Sequence, residues 1–193
     1  MTTPASRIRP VTEWAARVWA VAAPVVVLAA AGLAAAVGPA GYDPVRQTFS
    51  ALAKTGAPGR WIMTGTLLAL GLGYVLVAAA LPGLRPGGRA VLGVGGAAVA
   101  LAAVLPQPAH GDSIGHLVAA GVGWAAFTLV PLAVSGPRRA AVAATVVLVA
   151  LLGWFTVELV TGGPHLGLAQ RVTVVAETVW PLLCAVRRPV STR

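Results

Sequence analysis

Residues 109–134 read AHGDSIGHLVAAGVGWAAFTLVPLAV. From position 115 onward there is no Asp, Glu, Lys or Arg, and the run is mostly Ala, Val, Leu and Gly. In a helix rising ~1.5 Å per residue, about 20 such residues cross the ~30 Å of hydrocarbon in a bilayer. The octapeptide AHGDSIGH at its head holds two of the chain's three histidines and one of its five carboxylates. Titratable groups therefore crowd the mouth of a segment suited to lipid.

The same pattern recurs along the chain. Hydrophobic runs occupy 17–37, 61–81, 90–106, 115–134, 140–160 and 169–186, the third being the shortest. The connections GPAGYDP, PGLRPGG, PQPAHGD, SGPRR and TGGPH carry the Pro and Gly that break helices. The fold class expected is all-α: a polytopic membrane protein built as a bundle of six transmembrane helices. Residues 1–16 and 187–193 read as cytoplasmic tails around a 17–186 membrane domain.

Composition agrees. Of 193 residues 58% are hydrophobic and 10% charged, with a mean hydropathy of +0.84. A soluble domain carries about 25% charged residues. The net charge of +9 does not imply a nucleic-acid partner, because its distribution has another explanation. With both termini cytoplasmic, Arg7, Arg9, Arg17, Arg85, Arg89, Arg138, Arg139, Arg187, Arg188 and Arg193 lie inside. Only Arg46, Lys54, Arg60 and Arg171 lie outside, which is the positive-inside pattern of a multi-pass cell-membrane protein. The first run has a signal-peptide look, but its apolar part of about 20 residues exceeds the ~7–15 of such signals, so it reads as a retained anchor. Cys184, the single cysteine, reads as a small packing residue.

The longest outer loop is YDPVRQTFSALAKTGAPGRW, residues 42–61. Asp43 can cap a helix with Pro44 at its first position, and Gly56 can end it. Val45, Phe49 and Leu52 share one face, and Arg46, Ser50 and Lys54 another. The expectation is a short amphipathic helix over 44–55, either a cap on the bundle or a lid with a cation facing a lipid phosphate.

The run YDPVRQTFSALAKTGAPGRWIMTG, the Ala/Gly-rich spans and the Pro-His-Asp loop before span four resemble the bacterial membrane family called domain of unknown function 998. That family is in turn distantly similar to the Frag–DRAM–Sfk superfamily of six-span proteins. The resemblance implies a six-helix membrane bundle and brings no reaction with it.

Function has to come from the residues. In the expected topology His110, Asp112, His116, Glu158 and His165 all lie toward the outer side. Asp112 and His116 share a helix face if span four begins near Asp112. Gln170, Thr173 and Glu177 form a polar stripe along span six. Pro108 with His110 and Pro164 with His165 mark the tips of two outward hairpins, a faint internal repeat that would set both histidines beside one cavity. Ionisable residues inside a span usually face a cavity or a partner. The reading is an outward-facing polar pocket for a membrane lipid or other amphiphile, lined by Arg46, Ser50, His110, Asp112, His116, Glu158, His165 and Glu177. The alternatives are a lipid head-group hydrolase or transferase, which can be metal-dependent, a small proton-coupled transporter working through Glu177, or solvated loop histidines with glutamates that pair with Arg171 or bond to neighbouring Thr, Trp or Tyr for packing alone. Neither HExxH nor HxxxH spacing is present, and neither are GxSxG, a Walker loop or CxxC. The metal, any cofactor, the catalytic residues and the oligomeric state stay open at this point.

Overall fold

A computed structural model of the chain describes residues 4–187. Within them the fold is all-α, with seven helices: α1 Pro4–Ala36, α2 Phe49–Leu52, α3 Arg60–Ala80, α4 Pro86–Val104, α5 Ile114–Ser135, α6 Arg139–Thr161 and α7 Leu166–Arg187. Residues 1–3, and the expected C-terminal tail beyond Arg187, lie outside the described residues. Five helices, those carrying the first five apolar runs, are long and apolar enough to cross a membrane. The chain is a polytopic helical membrane protein. α7 has 22 residues, long enough to span, but Gln170, Arg171, Thr173 and Glu177 lower its hydropathy.

The helix limits follow the local chemistry. α4 starts four residues before its apolar run because Pro86 sits in the first turn, where its missing N–H costs nothing. Its 19 residues thus exceed the run that seemed shortest in sequence. Arg89 on α4 donates to the carbonyls of Ala78, Ala79 and Leu81, the otherwise unpaired end of α3. α1 extends well before its apolar run and carries an ion pair of Arg17 with Glu13 at 2.8 Å. Arg17 also donates to the Ala185 carbonyl, joining the start of α1 to the end of α7.

α3 packs on α1 and α4, α4 on α5, α5 on α6 and α7, and α7 on α1, while α6 lies outside against α5 and α7. Apolar side chains such as Val25, Leu72, Val118, Val146 and Val160 point away from the bundle. In water that would be costly; in lipid it is the expected outer face. Helices without a hydrophobic driving force between them pack through small residues. The closest backbone-to-backbone case between two helices is α3 on α4. A Cβ on Gly71 would lie 2.5 Å from the Gly96 carbonyl oxygen, and one on Gly96 2.6 Å from the Gly71 carbonyl oxygen.

The first loop corrects one expectation. The helix over 44–55 is a single turn, Phe49–Leu52, capped by Thr48 rather than by Asp43. Asp43 still organises the chain before it: its carboxylate accepts from the Val45 N–H at 2.8 Å, and its carbonyl from the Gln47 N–H at 2.8 Å. Phe49 and Leu52 are buried as expected, at 3% and 0% exposure, whereas Val45 is exposed.

The α3–α4 contact yields a test. Gly96→Ala should lower stability by about 1–3 kcal/mol through overpacking. Gly93→Ala, one turn away, meets only the Ala78 methyl at 3.7 Å and should be neutral or stabilising by up to ~1 kcal/mol. Thermal unfolding of both variants in detergent micelles measures the difference.

Candidate functional site: a two-chambered pocket

All long loops gather at one end of the bundle, and α7 holds the first of them. Gly167 has no Cβ, which lets the loop backbone press on α7: a methyl there would lie 2.5 Å from the Pro44 carbonyl oxygen. The Leu168 N–H, an unpaired donor in the first turn of α7, donates to the Val45 carbonyl at 2.9 Å. Arg171 donates to the carbonyls of Gln47 (3.0 Å) and Gly167 (2.9 Å) and to the Tyr42 hydroxyl (2.6 Å), with its guanidinium 4.7 Å from the Phe49 ring centre. Burial raises the Tyr42 phenol above its ordinary value, against the opposing pull of Arg171. Arg171 thus serves the loop, and it pairs with neither Glu158 nor Glu177. Gln170 Oε1 accepts the Phe49 N–H at 2.6 Å. Across the bundle, the Gln107 carbonyl accepts from the Thr55 N–H at 3.0 Å, and Gln107 Oε1 from the Ser113 N–H at 2.8 Å. Gln107 therefore ties the first loop to the second.

These ties bring Ser50 and His116, 66 positions apart in sequence, to 3.1 Å between Oγ and Nε2. His116 is 5% exposed. Its Nδ1 lies 2.9 Å from the carbonyl oxygens of both Ala102 and Leu105, at the C-terminal end of α4. Carbonyls only accept, so Nδ1 carries the hydrogen, and in the neutral ring Nε2 is left to accept from the Ser50 hydroxyl. Ser113 caps α5 and its Oγ accepts the His116 N–H at 3.2 Å.

Two cavities meet at this pair, and Ser50, His116, Ala120, Trp124 and Gln170 line both. The outer one, about 500 Å³, opens among the loops and adds Arg46, Lys54, Gln107 and Asp112. The inner one, about 90 Å³, runs into the bundle between apolar side chains toward Tyr74, Glu177 and Thr178. Glu177 is buried at 4% exposure and accepts from the Thr128 hydroxyl at 2.9 Å. The Tyr74 hydroxyl is buried without a hydrogen-bond partner among the described residues.

The sequence-derived site is thus divided. Arg46, Ser50, Asp112, His116 and Glu177 line one chamber or the other. Asp112 precedes α5, which starts at Ile114, so it does not share a helix face with His116 as expected. His110 and His165 are both exposed and line neither chamber, so the apparent hairpin repeat does not set them beside one cavity. Glu158 belongs to the α6–α7 corner: it accepts from Trp154 Nε1 at 3.3 Å and from the His165 N–H at 2.8 Å, and lies 3.8 Å from His165 Nδ1. Among the described residues no three His, Cys, Asp or Glu side chains converge as metal ligands. Sequence reasoning passed over Tyr74, Gln107 and Trp124 as site residues. Only Gln107, an amide among loop prolines, left a visible trace.

A family model described as Protein of unknown function (DUF998) matches residues 7–187. The chain belongs to the DUF998 family. No curated protein and no solved structure matches it. Membership in DUF998 agrees with the resemblance carried by residues 42–65, and the reading of the site rests on its geometry.

Gln107 gives this architecture a check. Gln107→Leu removes the side-chain acceptor of the Ser113 N–H and keeps the backbone acceptor of the Thr55 N–H. The Ser113 N–H is half-buried, so leaving it unpaired costs at most the ~1–3 kcal/mol of a fully buried donor. Hydrogen exchange at Ser113 should quicken by roughly tenfold or more, while Thr55 keeps its protection.

Proposed function

We propose that the chain is a six-span protein of the cell membrane that binds a membrane lipid or similar single-chain amphiphile, head group in the outer chamber and tail in the inner. The observation that carries this reading is the meeting of the two chambers at one point, the loop-side one carrying Arg46, Lys54, Gln107 and Asp112 among its apolar lining and the bundle-side one more apolar still. Arg46 and Lys54 offer cations to an anionic head group in the outer chamber. The inner chamber, at about 90 Å³, is smaller than the ~150 Å³ cavities that admit a benzene ring. It suits a slender alkyl segment better than a ring system.

The sixth span in this reading is α7. Its 22 residues give about 33 Å at ~1.5 Å per residue, enough for the hydrocarbon core. Gln170, Thr173, Glu177 and Thr178 are all buried, so its polar stripe faces protein rather than lipid, as an intramembrane polar stripe must. The loop end faces outward and both termini are cytoplasmic, with residues 1–16 and 187–193 flanking the membrane domain. The ten-to-four basic asymmetry supports this orientation. A proton-coupled transporter is less favoured: toward the basic end, Thr178 Oγ1 donates to the Val175 carbonyl and Trp180 Nε1 to Ser135 Oγ, so neither hydroxyl nor indole offers a free relay from Glu177.

Lipid analysis tests the binding reading. Protein purified in mild detergent should retain a straight-chain lipid by native mass spectrometry. Ala120→Trp, which puts an indole where the chambers meet, should reduce retention at least tenfold, and Val146→Trp on the lipid-facing side of α6 should not. Equal retention by both variants would place the lipid elsewhere. Orientation is read separately with Gly111→Cys and Pro137→Cys in a Cys184→Ala background. An impermeant thiol reagent should label position 111 in intact cells and leave 137 unlabelled.

A further inference from the structure

We infer that Ser50 and His116 are the nucleophile and general base of an ester hydrolase acting on the amphiphile, an inference that rests on the binding reading above. Three independent features of the geometry converge on it. The first is the contact itself. Ser50 Oγ lies 3.1 Å from His116 Nε2, within the ~2.6–3.2 Å over which a base can take a hydroxyl proton.

The second is the support behind the base. A serine–histidine pair needs a third group that holds the imidazole in the tautomer with Nδ1–H and stabilises the imidazolium once Nε2 is protonated. A buried carboxylate commonly does this. Here the carbonyls of Ala102 and Leu105 do, each 2.9 Å from Nδ1. They belong to the end of α4, where the unpaired carbonyls carry roughly half a negative charge. The helix terminus orients the ring and holds that tautomer, and the Ser113 contact with the His116 N–H fixes the backbone below it.

The third is location. Both residues line both chambers, so the nucleophile stands where the chamber that carries the charged side chains meets the more apolar one. In an amphiphile seated as proposed, the bond at that level is the ester between head and tail. Gln170 also lines both chambers. Its Oε1 is committed to the Phe49 N–H, which leaves its NH₂ as a side-chain donor that can serve the developing oxyanion.

The reaction balances without further reagents than water. Ser50 Oγ attacks the ester carbonyl carbon, and its proton passes to His116 Nε2. The tetrahedral intermediate collapses, the bond from carbon to the alcohol oxygen breaks, and the departing alkoxide takes the proton from Nε2. Water from the outer chamber then attacks the acyl carbon and gives a proton to Nε2. The Oγ–carbon bond breaks, and Oγ takes that proton back. Ester and water have become acid and alcohol, with no change of oxidation state.

The test uses the full chain in detergent and a long-chain alkyl fluorophosphonate, which forms an Oγ–phosphorus bond with loss of fluoride only at an activated serine. Peptide mass spectrometry should find the adduct on Ser50 in preference to Ser113 and Ser135, and Ser50→Ala should abolish it. His116→Gln, checked for unchanged thermal unfolding, should slow labelling by roughly 100-fold or more, the scale of general-base assistance. An unlabelled Ser50 in the wild-type protein would overturn the inference, and needs no variant. Labelling equally fast in a folded His116→Gln protein would overturn it too. Lipid retention in the same wild-type sample separates the two readings. Retained lipid with inert Ser50 leaves a binding protein without this activity. His116-dependent labelling without retained lipid leaves the dyad and removes the bound amphiphile.

Discussion

A helix end leaves carbonyls without partners, and each is expensive to leave so once it is buried. At the end of α4 the His116 ring answers that need, with Nδ1 at 2.9 Å from two of those carbonyls. The same contact fixes three other things. It locks α5 against α4 at the loop end. It sets the tautomer of the ring. And it turns Nε2 toward the first loop, where the Ser50 hydroxyl meets it. One imidazole thus joins α4, α5 and the loop that carries α2. An asparagine or serine at 116 could satisfy a carbonyl, but neither reaches both carbonyls and a hydroxyl on the opposite side.

The loop itself shows tertiary demand overruling local preference. Its sequence supports about three turns of amphipathic helix, yet only Phe49–Leu52 is helical. The competing bonds explain why. A continuous helix would turn the Phe49 N–H to the carbonyl at 45 and the Val45 carbonyl to the loop's own N–H groups. In the fold the former goes to Gln170 and the latter to Leu168 of α7. Breaking the helix at Thr48 lets the loop cap α7 and press on it at Gly167, and lets Arg171 hold Tyr42, Gln47 and Phe49 at once. The helix lost is short, and helices of that length are weakly stable alone.

The same contrast separates what the sequence makes legible from what it does not. The long helices are plain in the hydropathy of the runs, because lipid exposure demands apolar side chains over a fixed length. The limits of α3, α5 and α6 agree with the apolar runs to within a residue. The burial of Phe49 and Leu52 is readable for the same reason. Partnerships across many residues leave no periodicity to read. Ser50 with His116 and Gln170 with Phe49 depend on how two helices and two loops meet. Four residues separate Asp112 from His116, a spacing that suggests a shared helix face only if the helix includes both. Ser113 makes the better N-cap, so the helix begins one residue too late for Asp112 to join it.

Hydrogen-bond commitments set Glu158 and Arg171 apart from the residues that line the chambers. Glu158 is a titratable group near a helix end, but its oxygens are used by Trp154 and the His165 N–H, and what they close is a corner. Arg171 is spent on loop carbonyls and a phenol. At the chambers the accounts stay open. Tyr74 buries a hydroxyl with no partner among the described residues, Gln170 has committed only its oxygen, and His116 turns its accepting nitrogen to a hydroxyl shared by both cavities. Buried polar groups are normally satisfied, and leaving one open costs about 1–3 kcal/mol. A fold under no other constraint would replace Tyr74 by Phe and recover that energy. Tyr74, Gln170 and His116 line the chambers from loop to mid-bundle, while Trp19, Arg60, Thr64 and Thr145 bury side-chain atoms without a hydrogen-bond partner among the described residues away from them.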